Sequence, residues 1–294
     1  MLRRTLSHVP GIRERGERRL WSQGVTSWEE LRRRPPARCL RSEVDATLDE
    51  SERAWRERDA AWFGRVLRSR DAWRVYREFQ DGAAYLDIET AGSRAGDTVT
   101  CVAVADRRGV RLFVRDRNLD DLPDALRDHD VLVTFNGASF DLPVLRHALR
   151  GAGAAIDRLA HFDVCHALRR LGHHGGLKLA ERSFGVPRDD GLHGLDGSFA
   201  VELWERHLRG DPRALPTLAR YCAEDVLGLP ALASLAANAL LAETPFAGEL
   251  APIPVPGRIE SYLPFSRALV SELVAARAAA VVSRPAERLG DAFE

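Results

Sequence analysis

The apolar positions change their period twice along the chain. In residues 1–80 they recur at helical spacing: Leu20, Trp21, Val25, Trp28 and Leu31 form one stripe, with Gly24 as a stop inside it. Pro35-Pro36 breaks the chain. A second helical stretch follows, carried by Trp55, Trp62, Phe63, Val66, Leu67, Trp73, Val75 and Phe79 and weakened locally by Gly64. From 81 to 240 short apolar runs appear. Ala83 to Glu89 predicts a strand ending in acids, and Thr98 to Ala105 and Val110 to Val114 predict a hairpin around Asp106-Arg107-Arg108-Gly109. Leu122 to His129 predicts a helix, and 131–135 a buried strand closed by Asn136-Gly137. Asp141 to Arg150 predicts a helix, with a short strand near His161 to Val164 and further helices beyond. A hairpin-bearing sheet with helices between its later strands is α/β. In 241–294 Pro245, Pro252, Pro254, Pro256 and Pro264 predict an irregular segment, with one apolar helix over 266–282 and loose final residues. The expected organisation is therefore a helical module at 1–80, an α/β domain at 81–240 and a proline-rich extension at 241–294.

Composition adds little beyond permission to fold. An apolar fraction of 45% suffices for a core, and the formal net charge is zero. The charge is uneven, however. Residues 1–41 hold an arginine excess that suits either a polyanion or a solvated face. Lys178 is the single lysine in a chain that otherwise uses arginine. Cys39, Cys101, Cys165 and Cys222 are scattered without a CxxC pair, which argues against a structural zinc site and a disulfide framework. No signal peptide is expected, nor an apolar stretch approaching the roughly 18 residues of a membrane span. A cytoplasmic location is the expectation.

Three local patterns carry chemistry. In Tyr85-Leu86-Asp87-Ile88-Glu89, alternation along a strand projects Asp87 and Glu89 to one face while Leu86 and Ile88 enter the core. Two adjacent carboxylates repel, and a hard divalent cation with oxygen ligands relieves them; for this pair alone a polar strand terminus reaching solvent is the plainer explanation. In Asn136-Gly137-Ala138-Ser139-Phe140-Asp141, an acid follows a strand and a tight turn and opens a helix; capping by Asp141 or Ser139 is the plainer explanation. In Tyr221-Cys222-Ala223-Glu224-Asp225, the i, i+4 spacing sets Tyr221 and Asp225 on one helix face and turns Glu224 elsewhere; by itself a Tyr–Asp surface pair is the plainer explanation.

Taken in order, D-x-E on a first strand, N-G-x-x-F-D-x-P after a second and Y-x-x-x-D on a late helix resemble the three motifs of the DEDD (DnaQ-like) exonuclease superfamily, tyrosine subtype. The middle motif is close to that of family B DNA polymerase proofreading domains. The stretch 81–240 resembles the bacterial ribonuclease-H-like nucleases, among them the nuclease partner of a DNA-repair helicase. The resemblance implies a ribonuclease-H-like mixed sheet flanked by helices, preceded by the small helical module. It also implies two divalent cations, Mg2+ or Mn2+, held by Asp87, Glu89, Asp141 and Asp225, and a Tyr221 that orients the attacking water. The implied reaction is hydrolysis of phosphodiester bonds from a 3′ end. Asn136 and Phe140 match positions that meet the terminal nucleotide, Phe140 by stacking or as core.

Other residues fall outside that set. Asp163 is expected to be structural or to support the ligands, Lys178 and Arg182 share a helix face that can meet phosphate, and His173, His174 and His193 are read as solvated. Residues 7–31 resemble one helix-hairpin-helix, except that Arg13 replaces its usual second glycine, so a docking module is equally open. Three functions remain: an exonuclease on single-stranded or frayed DNA in repair, which is favoured; a ribonuclease on RNA 3′ ends; and an inactive nucleic-acid-binding subunit of a helicase complex.

Overall fold

The computed structural model describes residues 1–92 and 98–282; the final ten residues, expected to be loose, lie outside that range. Five strands form one mixed sheet in the order β3-β2-β1-β4-β5. They are β1 (Ala83–Thr90), β2 (Val99–Asp106), β3 (Gly109–Val114), β4 (Val131–Thr134) and β5 (Ala160–Asp163). The first three run antiparallel as a meander, while β4 and β5 lie parallel to β1. β1 is therefore central; β4 pairs with its first residues, Ala83 to Tyr85, so Asp87 and Glu89 lie just past the C-terminal end of β4. The expected α/β class and ribonuclease-H-like layout, with helices ahead of the sheet, are what the structure has.

Alternation along β1 separates two apolar layers. Leu86 and Ile88 join Val102, Val104, Leu132, Leu142 and Leu145 on one face. Tyr85, Cys101 and Ala103 join Leu218, Cys222 and Val226 on the other. Helices α1 (Glu14–Ser22), α2 (Trp28–Arg33), α3 (Arg41–Glu57), α4 (Ala60–Val66) and α5 (Ala72–Phe79) precede the sheet. α6 (Leu122–Ala125), α7 (Asp141–Ala148) and α8 (Ala152–Asp157) lie between β3 and β5 in the chain. After β5 come α9 (Val164–Arg170), α10 (Leu177–Phe184), α11 (Gly197–Leu208), α12 (Ala214–Leu227), α13 (Leu229–Ala242) and α14 (Arg267–Val282).

Several boundaries depart from the sequence expectation for local reasons. The second N-terminal stretch is three helices, because Arg58 turns left-handed at φ 55° and Asp59 caps α4 by accepting from the Trp62 N–H at 2.8 Å. Gly64, expected to weaken the helix locally, lies inside α4. A Cβ there would stand 2.9 Å from Ala160 Cα, so glycine is what lets α4 lie directly against β5. The helix expected over 122–129 stops at Ala125. By length and composition α12 and α13 together could cross a membrane, contrary to the expectation that no stretch would, yet 72% of their most apolar 18-residue stretch is buried inside the protein, as in the core helix of a globular fold. The proline-rich segment packs along α12 and α13: Ile253 exchanges two 2.8 Å hydrogen bonds with the Asn238 amide, Arg220 donates to Ser261 O at 2.6 Å, and Arg258 pairs with Glu224.

One buried ion network fastens the helical stretch. Glu17, 0% exposed, accepts from both ends of the Arg74 guanidinium at 2.8 Å and from the N–H groups of Leu6 and Ser7. Asp71 lies 3.1 Å from the same guanidinium. All three are at most 2% exposed, so removing one partner strands charge in the core. Arg74→Ala should lower unfolding stability by about 3–5 kcal/mol, read as a shifted denaturant midpoint. A shift below about 1 kcal/mol would mean that the network is screened as a surface pair is.

Candidate active site

The acids gather where β1 ends. Asp87 stands opposite Ala103 and Glu89 opposite Cys101 in the β1–β2 ladder, and the register slips between Glu89 and Thr90. A bulge of this kind bends the strand and re-aims its last side chains. Glu89 is 7% exposed and Asp87 half-buried, both on the face that α12 covers. From α12, Tyr221 and Asp225 reach the same cleft, as the one-face spacing predicts. Asp141 enters from the start of α7. A single cleft of about 660 Å3 is lined by Asp87, Glu89, Asn136, Phe140, Asp141, Tyr221 and Asp225, the seven residues that the sequence motifs assign to the site.

The turn that delivers Asp141 has specific requirements. Asn136 adopts φ 64°, a left-handed conformation that asparagine tolerates better than most residues. Gly137 follows because a Cβ would stand 2.4 Å from Thr134 Oγ1. Asp163 holds the turn from β5: it accepts from the N–H groups of Asn136 (2.8 Å), Ala138 (3.1 Å) and Cys165 (3.1 Å). Its carboxylate is thus occupied by backbone donors. Ser139 is exposed and no side chain caps α7, so the capping alternative for Ser139 fails. Phe140 is half-buried, resting on the Leu142 side of the core while one surface opens to the cleft.

Electrostatics set this cleft apart. Burial, then repulsion from Asp141 and Glu89, raises Asp87 well above the usual carboxylate range. Burial raises Glu89 likewise. Asp141 is pushed up to about 7, by burial and then by Asp163, although the N–H groups of its own residue and of Ile88 pull the other way. Like charges this close and this dry cannot all ionise without a cation. The donor set is hard oxygen, which suits magnesium or manganese. Among the described residues, Asp87, Glu89 and Cys222 present ligand atoms all within 4.8 Å of one another. Burial holds the Cys222 thiol well above its ordinary value, and a protonated thiol is a poor ligand, so the carboxylates are the better candidates.

Two cations flank the acids. Lys178 Nζ donates to Leu195 O and, at 3.3 Å, to the Tyr221 hydroxyl, and sits 4.9 Å over that ring. Arg182 lines the same side one turn on. His173, His174 and His193 are exposed and do not line the cleft. Sequence reasoning missed Arg188, which pairs with Asp225 and, at 2.6 Å, with Glu181. Nothing local distinguishes it from the other arginines; its place beyond the Gly185 helix stop was the one available hint.

Comparison with known proteins agrees with this picture at the level of family. A family model described as the RNase_H superfamily matches residues 84–237, more than half of the chain. No curated protein matches. Among solved structures, the family B DNA polymerase of the hyperthermophilic archaeon Pyrobaculum calidifontis is similar, at 24% identity and a TM-score of 0.41, over 54% of this chain and 24% of that one. The chain thus matches about a quarter of the polymerase's length.

The raised acids give a signed pH effect. A carboxylate whose folded pKa exceeds its unfolded one binds more protons folded, so its contribution to stability is full below the unfolded pKa and is lost as pH rises. For Asp141 that window runs from 3.8 to about 7. With chelator present, Asp141→Asn should melt above the parent at pH 8, and the gap should close near pH 4. Equal melting at both pH values would contradict the assigned burial.

Proposed function

This chain belongs to the RNase H superfamily, whose members are generally nucleases, and on that premise we propose that it is a metal-dependent exonuclease trimming DNA from a 3′ end. The observation that carries the proposal is the convergence of Asp87, Glu89, Asp141 and Asp225 with Tyr221 on one cleft. These four acids would hold two divalent cations, Mg2+ or Mn2+, which supply Lewis-acid stabilisation to the attacking and leaving oxygens of a phosphodiester.

The chain's own groups do the positioning. Burial and the neighbouring Glu89 and Asp87 raise the Tyr221 hydroxyl above its ordinary pKa, so it stays protonated and acts as a hydrogen-bonding group, not as a base. Lys178 fixes that hydroxyl from the side, which lets Tyr221 orient a water next to the acids. The open surface of Phe140 offers a stacking platform for a terminal base, and Asn136 lines the same cleft, where its amide could meet a nucleotide edge. Lys178 and Arg182 bring positive charge to the same cleft, where a backbone phosphate would lie. The 3′ polarity, the preference for DNA, the tyrosine subtype and a helicase that supplies frayed ends are supported by the sequence resemblance. The arginine-rich residues 1–41 support it less than their number suggests, because Arg18, Arg32, Arg33 and Arg41 are already paired with acids.

End-labelled single-stranded DNA and RNA, each with Mn2+, Mg2+ or chelator, test the reading. The parent should shorten DNA from its 3′ end in either metal and leave it intact in chelator. Asp87→Ala should lose at least a hundredfold in rate, on the scale of one transition-state electrostatic contact. An Asp87→Ala variant as fast as the parent rejects the site. Shortening of RNA alone reassigns the substrate.

A further inference from the structure

Arg188 bridges two acids in very different surroundings. Its Nη1 donates to Glu181 Oε2 at 2.6 Å and its Nη2 to Asp225 Oδ1. Glu181 is 2% exposed, and Arg188 is its one ion-pair partner among the described residues. The other Glu181 oxygen backs onto Gly228, where a Cβ would stand only 2.9 Å away. Glu181 is therefore an anchor that has nowhere to go, and it fixes the place of Arg188. Asp225, by contrast, opens onto the cleft. Like Asp141, it stands outside the group of Asp87, Glu89 and Cys222 whose ligand atoms lie within 4.8 Å; unlike Asp141, it is held by a guanidinium.

We propose that Arg188 is a tethered counter-cation that competes with a divalent ion for the Asp225 carboxylate, so that Asp225 joins the other acids only when the guanidinium releases it. The inference rests on the reading of the cleft as a metal centre. The guanidinium cannot drift away on release, because Nη1 stays on Glu181. What changes hands is the Nη2 contact alone. A single positive charge is outbid by a divalent ion only where several carboxylates act on that ion together, which makes occupancy at Asp225 depend on assembly of the whole site. Arg188 is thus a positioning residue that acts through Asp225.

Binding of Mn2+ to the full-length protein without nucleic acid, counted by loss of the free Mn2+ paramagnetic resonance signal, tests this. Arg188→Gln keeps the side chain polar and removes its charge; it should tighten Mn2+ binding on the order of tenfold, the scale of one charge-assisted hydrogen bond. In an Asp225→Asn background the same substitution should give no gain. Arg188→Lys, which can reach one acid at a time, should fall between, and it stands in should Arg188→Gln melt far below the parent in chelator. Unchanged or weaker binding by Arg188→Gln overturns the proposal. So does a gain that persists with Asp225→Asn, since that would be through-space attraction without competition. A parent that binds no Mn2+ removes the metal-centre reading itself, and this inference with it.

Discussion

Placing several carboxylates together at the dry end of a central strand is the constraint to which the rest of the molecule answers. Ionised, Asp87, Glu89 and Asp141 repel one another in a medium that screens poorly; neutral, they have no chemistry to offer. Their raised pKa values express that conflict. The surroundings hold the acids in place without discharging them. Arg188 takes Asp225, the Lys178 ammonium stays on Tyr221 and Leu195 O, and the N–H groups of Ile88 and Asp141 steady one carboxylate. The charge left over is what a divalent cation would complete.

The scaffold around the acids is built for rigidity at that point. β1 is central in the sheet: β4 holds its first half, β2 runs alongside Asp87 and Glu89, and apolar layers cover both faces. Asp163 locks the β4–α7 turn by taking three backbone N–H groups, which fixes where Asp141 begins its helix. On the far side of α12, Glu224 anchors Arg258, Arg220 and the Asp189 N–H, tying the proline-rich segment and the Arg188 loop to the helix that carries Tyr221 and Asp225. The extension at 250–265 therefore braces the active helix from behind. Neighbouring residues on one turn divide the labour: Glu224 faces the brace and Asp225 faces the cleft.

The helical stretch before the sheet serves the same end through contact with β5. α4 lies close enough to Ala160 that position 64 must be glycine, and α5 packs Tyr76 on Phe162 with ring centroids 5.1 Å apart. β5 is an edge strand of the sheet, and these contacts pin its apolar face to the helices. The buried Glu17–Arg74–Asp71 network fastens them there.

By itself the sequence determined the class of fold, the strand that carries Asp87 and Glu89, the turn before Asp141 and the helix face shared by Tyr221 and Asp225. Each of these depends on local period: alternation of two in a strand, an Asn-Gly turn that tolerates left-handed backbone, and i, i+4 spacing in a helix. Tertiary structure alone decided the rest. Asp163 became the clamp of a turn 25 and more residues away, Glu181 and Arg188 formed a bridge to Asp225, Gly64 proved a close-approach residue against β5, and Ser139 was left without a capping role. These outcomes share one physical reason. Each depends on which distant surface is brought against the residue, and in a chain with 43 basic and 43 acidic side chains no local pattern says which arginine will meet which acid.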